Sequence, residues 1–142
     1  MKCNNIFLSI PVQGIRVKEN IYLHIVKEIS RYGHFVNNTV MLPPKYEDTH
    51  KFDPREVYSV LIKQLHDANF FIAEISSPSL GVGFEIASAI FYRKPVLLLY
   101  DVSLESKVSL MIKGIDPAFA EIKSYQIEED ITLILKRFLR NE

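Results

Sequence analysis

Short apolar runs alternate along this chain with longer stretches in which apolar residues recur at helical spacing. The runs have the length and the aromatic or β-branched content of buried strands, and the longer stretches have the pattern of amphipathic helices. The pattern predicts strands at Ile6–Ile10, His34–Val40, Phe70–Ile75, Val96–Tyr100 and Ile122–Tyr125. It predicts helices around Ile21–Tyr32, Asp53–Leu65, Ile86–Phe91, Val102–Lys113 and Ile127–Phe138.

The order of these elements predicts the fold class. Strand and helix alternate without a hairpin signal, so the strands are expected to be parallel and connected by helical crossovers. No internal repeat, low-complexity segment or linker divides the 142 residues. We therefore expect a single-domain α/β fold, a doubly wound five-stranded parallel sheet with strand order 2-1-3-4-5.

The stretch from Ser76 to Glu85 stands out, because it follows a buried strand and opens a helix. Ligands of such sheets bind beyond the carboxyl ends of the strands, where this loop is expected. Gly81 and Gly83 would allow a ligand close to the unpaired N–H groups of the helix N-terminus, which predicts an anion cradle. The alternative is that Ser79 only caps the helix and the glycines only relieve the turn.

Two carboxylates lie in apolar segments, where burying a charge would destabilise the fold. Glu74 closes an apolar strand, and Glu85 lies in the first turns of an otherwise apolar helix. Structural explanations exist for each, since Glu85 could complement the helix dipole and Glu74 could lie at an exposed edge. Both at one ligand edge, beside an anion cradle, favour a functional site.

Composition narrows the function classes. Lys plus Arg and Asp plus Glu each number 17, so the balanced charge gives no indication of a nucleic-acid polymer or an anionic membrane as partner. Cys3 is the single cysteine, which excludes an internal disulfide. The sequence has no cluster of Cys and His residues of the kind that binds a structural metal, and we expect no cofactor. No apolar run approaches the roughly 20 residues of a membrane helix and no signal peptide is evident, so we expect a cytoplasmic protein.

The central motifs resemble those of a known family. Ala73-Glu-Ile-Ser76 followed by Pro78-Ser-Leu-Gly-Val-Gly-Phe-Glu85 is similar to the signature of the 2'-deoxynucleoside 5'-phosphate N-hydrolases, of the nucleoside 2-deoxyribosyltransferase superfamily. The similarity continues through Lys94–Tyr100 and Ser109–Gly114. It implies a flavodoxin-like fold, a homodimer, and hydrolysis of the N-glycosidic bond of nucleoside 5'-monophosphates.

The resemblance also implies roles for residues. Glu85 matches the catalytic nucleophile, and Ser79, Gly81 and Gly83 match the residues that hold the 5'-phosphate. Ser109 matches a serine that reaches the phosphate of the neighbouring subunit. Glu74 matches a family glutamate, for which we expect an orienting role in the substrate site.

The first loop departs from the family pattern. The family has a Gly-Ser-Ile-Arg-Gly-like segment that holds the phosphate, and this chain keeps only Ser9-Ile10 of it, with Leu8 for the glycine and Pro11 for the arginine. Gly14 could donate a backbone hydrogen bond and Arg16 could supply the missing charge from further along the loop. A solvated surface arginine is the alternative.

A second departure concerns the chemistry. The family's other catalytic carboxylate, an Asp on the second helix, corresponds here to Leu61, which cannot transfer a proton. Another group could substitute, or the activity could be slow or lost; the candidate substitutes are Glu74, Glu56, Tyr58, and Asp53 through a shifted helix. Three functions follow: a (deoxy)nucleoside 5'-monophosphate N-glycosidase, which we favour, a nucleoside deoxyribosyltransferase, or a non-catalytic nucleotide-binding module.

Overall fold

A central parallel sheet organises the chain in the computed structural model, which describes residues 2–11, 19–38 and 53–140. The strands are β1 (Asn5–Ser9), β2 (Phe35–Val36), β3 (Phe70–Glu74), β4 (Val96–Asp101) and β5 (Glu121–Tyr125). The helices are α1 (Glu19–Arg31), α2 (Pro54–Asp67), α3 (Leu80–Phe91), α4 (Leu110–Lys113) and α5 (Glu128–Arg140). A 3₁₀ segment, Val102–Lys107, joins β4 to α4.

The five strands are hydrogen-bonded in the order β2-β1-β3-β4-β5, and every described pairing is parallel. This confirms the predicted doubly wound sheet and its strand order. The three central strands are almost fully buried because helices cover both faces of a parallel sheet.

Alternation of side chains divides the core into two halves. Ile6, Leu8 and Ile72 point to the face covered by α1 and α5. Phe7 and Phe71 point to the opposite face, which is covered by α2 and α3. Successive strand residues face opposite sides of a sheet, so the parity of a position determines which layer its side chain joins.

The helix ends follow the chemistry expected from the sequence. Asp53 caps α2 by accepting the Arg55 N–H at 2.9 Å, with Pro54 as the first helical residue. Gly33 follows α1 at a φ of 77°, the left-handed conformation that favours glycine after a helix.

Two predicted elements need correction. The helix predicted over Val102–Lys113 is instead the 3₁₀ segment followed by the short helix α4. It breaks at Val108, whose backbone is extended and whose side chain is buried in the core. The second strand was predicted to start at His34 but contains only Phe35–Val36 among the described residues. After it, the side chain of Asn38 bonds both the Leu8 N–H and the Leu8 carbonyl, at 3.0 and 2.8 Å, in place of a backbone ladder.

Candidate active site

The carboxyl ends of the strands bring several of the predicted site residues to one edge of the sheet. Ser9 ends β1, opposite Ala73 of β3, and Glu74 ends β3, opposite Leu99 of β4. The loop after β3 crosses this edge and enters α3 at Leu80. This is the position at which open α/β sheets bind ligands.

Glu85 lies in the second turn of α3 and contacts Ser9 directly. The Ser9 hydroxyl donates a hydrogen bond to Glu85 Oε2, although the two residues are 76 positions apart in sequence. Ser9 is buried, and its position alternates with Leu8 so that its side chain faces the α2/α3 layer. The contact fixes the Glu85 carboxylate at the end of β1.

Burial raises the pKa of Glu85 from 4.5 to about 7, while the Ser9 hydrogen bond opposes the increase. Near neutral pH the side chain therefore populates both its charged and its protonated form. A carboxyl whose pKa is raised at a ligand edge is a candidate for catalysis.

The N-terminus of α3 combines the two explanations considered for its loop. Ser79 caps the helix, since its hydroxyl oxygen accepts the Val82 N–H at 3.3 Å. Gly81 and Gly83 have ordinary helical backbone conformations, so the turn does not require them. A Cβ at Gly81 would meet only Ser79 Oγ, at 4.0 Å, and one at Gly83 would meet nothing within 4 Å.

Glycine inside a helix costs about 1 kcal/mol relative to alanine. Neither glycine is offset here by a turn or by a close contact within the described chain. The open surface over the first turn of α3 is the arrangement that a closely bound anion or a second chain would need. Gly81 lies four residues before Glu85, so it shares a helix face with the carboxylate.

A cavity of about 460 Å³ lies on another side of α3. Among its lining residues are Ser77, Ser79, Gly83 and Ser109. The residues lining it do not include Ser9 or Glu85. The predicted site residues therefore form two groups around the helix, Gly81 with Glu85 and Ser9, and Gly83 with Ser79 and Ser109.

Glu74 is buried on the other face of the sheet. Its position alternates with Ala73, which faces the α2/α3 layer, and its carboxylate interacts with Tyr125 of the α1/α5 core. Glu74 Oε1 accepts the Ser76 N–H at 2.8 Å and the Ser76 hydroxyl at 2.5 Å. Burial raises the pKa of Glu74 from 4.5 to about 7, the Ser76 hydrogen bonds oppose this, and negative charge on Asp101 adds to it.

The structure shows fewer contacts for the other residues that the sequence analysis singled out. Ile10 packs its side chain into the α1/α5 core, so only its backbone could contact a ligand. Gly14 and Arg16 lie outside the described residues. Leu61 is half-buried and packs against the α2/α3 core, and Tyr58, one turn away, has its ring centroid 6.1 Å from that of Phe84.

Sequence reasoning named Ser76 only as part of the motif, without a role, and missed Asp101. The Asp101 N–H donates to Ser76 Oγ at 2.8 Å, so Ser76 connects Glu74 to the end of β4. The available signal was that each polar residue directly follows or ends a buried strand.

Among residues 2–11, 19–38 and 53–140, no group of three or more His, Cys, Asp or Glu side chains is placed to hold a metal ion. None of the helices described over these ranges combines the length and apolar character needed to cross a bilayer.

Comparison with known proteins links the chain to nucleotide N-hydrolases. A Methanosarcina mazei protein whose name assigns it to the 2'-deoxynucleoside 5'-phosphate N-hydrolases is 32% identical over 139 residues, covering 96% of this chain and 84% of the relative. The 5-hydroxymethyl-dUMP N-hydrolase of Danio rerio is 30% identical over 139 residues, covering 94% of each protein. No family model matches the chain.

Solved structures confirm the fold. The Clostridium botulinum CMP N-glycosidase BcmB superposes with a TM-score of 0.68 at 18% identity, covering 94% of this chain and 98% of that one. The solution structure of BlsM gives a TM-score of 0.75 at 18% identity, covering 97% and 90%. At the sequence level, the identity and coverage of the curated relatives assign the family, and the chain belongs to the 2'-deoxynucleoside 5'-phosphate N-hydrolases.

Proposed function

We propose that this protein hydrolyses the N-glycosidic bond of (deoxy)nucleoside 5'-monophosphates, giving free base and (deoxy)ribose 5-phosphate. The observation that carries the proposal is the Ser9–Glu85 contact, which holds a carboxylate of raised pKa at the ligand edge, beside the open N-terminus of α3. Family membership supports it, since the names of the relatives specify N-hydrolysis of nucleotides.

The chemistry requires a carboxylate next to C1'. In the proposed reaction Glu85 attacks C1', the C1'–N bond breaks, and its electron pair leaves with the base, which takes up a proton. Water then attacks C1', the bond between C1' and the Glu85 oxygen breaks, and Glu85 leaves as the carboxylate. The proton that this water loses balances the one taken up by the base, so the net reaction adds H to the base and OH to C1'. The hydroxyl of Ser9 orients the nucleophile through its contact with Oε2.

The phosphate is proposed to bind at the first turn of α3. The unpaired N–H groups of that turn lie at the positive end of the helix dipole, and the space over Gly81 is open. Backbone donors of Ile10, with Gly14 and Arg16 from the first loop, complete the proposed phosphate site. Gly81 and Glu85 share a face of α3, which suits a substrate whose phosphate and C1' are joined by a single sugar.

Glu74 is not proposed as the missing proton donor. It faces the α1/α5 layer, whereas Glu85 faces the α2/α3 layer, and both Ser76 donors already occupy its Oε1. Retaining glycosidases place their two carboxyls about 5 Å apart on either side of the scissile bond. Opposite faces of a sheet do not provide that arrangement.

The activity is tested by incubating the protein with a panel of ribo- and deoxyribonucleoside monophosphates and measuring free base by chromatography. Glu85→Gln should bind nucleotide normally and lose about 10³-fold or more in turnover, the scale seen for key catalytic groups. Undiminished turnover by this variant would exclude Glu85 as nucleophile. Base exchange on unphosphorylated nucleosides would instead identify a transferase.

A non-catalytic nucleotide-binding module remains the second candidate, and the specific observation in its favour is Leu61. An apolar, half-buried side chain occupies the position of the family's second carboxylate. Micromolar binding of monophosphates without release of base would support this function.

We further propose a homodimer in which Ser109 serves the partner's site. Ser109 is exposed and lies next to Leu110 and Met111, which are 86% and 82% exposed. On α3, Leu80 is 97% exposed and Phe91 is 82% exposed. Exposed apolar side chains of this size on neighbouring elements favour an interface. The cytoplasmic location expected from the sequence fits a nucleotide substrate.

The dimer proposal has a direct test. Mixing Ser109→Ala with Glu85→Gln subunits should regenerate one intact site per heterodimer if Ser109 acts in trans, and none if it acts within its own chain. A monomer by light scattering at micromolar concentration would refute the interface.

A further inference from the structure

A buried chain of hydrogen bonds links the ends of β3 and β4. The Asp101 N–H donates to Ser76 Oγ at 2.8 Å, and the Ser76 hydroxyl donates in turn to Glu74 Oε1. The Ser76 N–H donates to the same carboxylate oxygen at 2.8 Å. Glu74 is 1% exposed and Ser76 is 4% exposed, so water does not compete for these contacts. We call these three residues the Glu74–Ser76–Asp101 node.

The node begins where the backbone ladder ends. Ile75 still pairs with the sheet, since its N–H donates to the Leu99 carbonyl at 2.8 Å. At Ser76 the chain leaves the sheet, and the side chain of Ser76 supplies the acceptor for Asp101 that a continuing strand would provide. The direction in which the chain leaves β3 therefore depends on one hydroxyl group and one buried carboxylate.

Two walls of the 460 Å³ cavity start at this node. One wall is the Ser77–Ser79 segment, which follows Ser76 directly and enters α3. The other contains Ser109. It starts at Asp101, whose carboxylate caps the 3₁₀ segment by accepting the Ser103 N–H at 2.9 Å. Ser76 therefore joins the starting points of both walls.

We propose that Glu74 and Ser76 are positioning residues for phosphate binding, because their node fixes both the Ser77–Ser79 loop, which leads into the proposed phosphate-binding turn of α3, and the start of the segment that carries Ser109 towards the partner's site. The inference rests on the proposed function. It assigns to Glu74 a task that is separate from proton transfer. It also gives a role to a buried carboxylate that faces away from Glu85 and would otherwise be a cost to folding.

The energetics favour an intact node. A buried carboxylate that accepts two hydrogen bonds retains part of the solvation it lost. Removal of the Ser76 hydroxyl leaves the Asp101 N–H without its acceptor and takes from Glu74 one of the two donors that Ser76 supplies. Unsatisfied buried groups are avoided, so the two strand ends should separate or admit water.

The test compares Ser76→Ala, Glu74→Ala and their double variant with wild type. The measurements are KM and kcat on the best monophosphate of the panel, and calorimetric binding of 2-deoxyribose 5-phosphate. Each single variant should weaken 2-deoxyribose 5-phosphate binding and raise KM about 10-fold or more, with kcat changed less than KM. The double variant should be little worse than either single variant, because both changes remove the same contact.

Conservative variants and a control separate positioning from general damage. Ser76→Thr keeps the hydroxyl and Glu74→Gln keeps an acceptor oxygen, so both should restore most of the binding. Ser30→Ala removes an exposed hydroxyl from α1, away from the cavity, and should behave as wild type. Circular dichroism confirms that each variant is folded at the assay temperature.

The outcomes separate the inference from the proposed function. If wild type binds 2-deoxyribose 5-phosphate and Ser76→Ala binds it equally well, the positioning role is wrong. A lower melting temperature with unchanged KM would assign the node to stability alone and also overturn the inference. If wild type neither binds 2-deoxyribose 5-phosphate nor hydrolyses any monophosphate, the proposed function fails and the inference fails with it.

Discussion

The buried carboxylate of Glu74 should make the stability of this protein depend on pH in an unusual direction. Burial raises its pKa from 4.5 to about 7 in the folded protein. Between these values the folded state retains a proton that the unfolded state has lost. Stability therefore falls as pH rises through this range, because the unfolded state binds fewer protons than the folded state. It levels off above about 7, where both states have lost the proton.

The magnitude follows from the two pKa values. A change from 4.5 to about 7, at about 1.36 kcal/mol per pKa unit, corresponds to about 3 kcal/mol of unfolding free energy at full effect. This is a large part of the roughly 5–15 kcal/mol that stabilises a typical domain. Asp101, Ser76, Tyr125 and the backbone of Ile75 interact with Glu74. They change its pKa through charge or hydrogen bonding without reversing the direction of the shift.

Glu74→Gln removes the titration and keeps an acceptor for Ser76. Urea unfolding followed by circular dichroism at pH 5.5 to 8.5, at fixed protein concentration, gives the free energy at each pH. From pH 5.5 upward about 1.5 pH units of the titration are covered, so the decrease seen in wild type should be smaller in Glu74→Gln by about 2 kcal/mol. Glu121→Gln, which changes an exposed carboxylate on β5, should keep the wild-type slope.

Glu85 titrates in the same range, so wild type combines two groups. The Glu85→Gln variant isolates the contribution of Glu74 from that of Glu85, and the double variant should lose the part of the decrease that these two carboxyls cause. The reasoning would be refuted if Glu74→Gln kept the full wild-type slope, or if wild type became more stable from pH 5.5 to 7.

The remaining predictions concern single positions. Gly81→Ala should raise the free energy of unfolding by about 1 kcal/mol, since the new Cβ would meet only Ser79 Oγ at 4.0 Å. If a phosphate binds at this turn, the same change should weaken monophosphate binding in calorimetry about 10-fold. Stronger or equal binding would contradict a phosphate at this turn. Arg93 has a φ of 55°, a strained conformation for a residue with a side chain, so Arg93→Gly should stabilise the fold by about 1 kcal/mol and raise its melting temperature. A lower melting temperature would mean that the arginine side chain contributes more stability than the strain costs. Leu61→Asp should increase base release about 10²-fold or more in the chromatographic assay, at a cost in stability, and no gain would mean that this position does not face the substrate.

The sheet could be predicted because each strand is marked by a continuous apolar run. Burial on both faces leaves little choice of residue in β3 and β4, where the runs Phe70–Ile75 and Val96–Tyr100 stand out in the sequence. The 3₁₀ segment could not be predicted in the same way. Val108 resembles one more apolar residue of a helix, and only the tertiary structure shows that its side chain enters the core in an extended conformation.

The location of the candidate site could be predicted from the strand order, although most of its side-chain contacts could not. The parallel fold brings Ser9, Glu74 and the α3 loop to one edge, so their proximity followed from strand order alone. Strand parity could also have placed Glu74 with Ile72 on the α1/α5 face, and Ser9 with Phe7 on the other. The contact between Ser76 and Asp101 depends on how β3 leaves the sheet beside β4, which local sequence does not determine.

The resemblance implies that Leu61 replaces the family's second carboxylate, and this replacement would have a consequence for Glu85. Burial raises the pKa of Glu85 to about 7, and the Ser9 hydrogen bond opposes it. An ionised Asp close by would raise that pKa further, because like charges disfavour a second anion. With leucine at this position Glu85 remains ionised in a larger fraction of molecules at neutral pH, so the proposed nucleophile keeps its charge while the leaving base would lack a carboxyl that donates a proton. Purines can accept a proton from water at N7 and leave without that assistance. Hydrolysis by this chain should therefore favour purine over pyrimidine monophosphates, and the ratio should decrease when Leu61→Asp restores a donor.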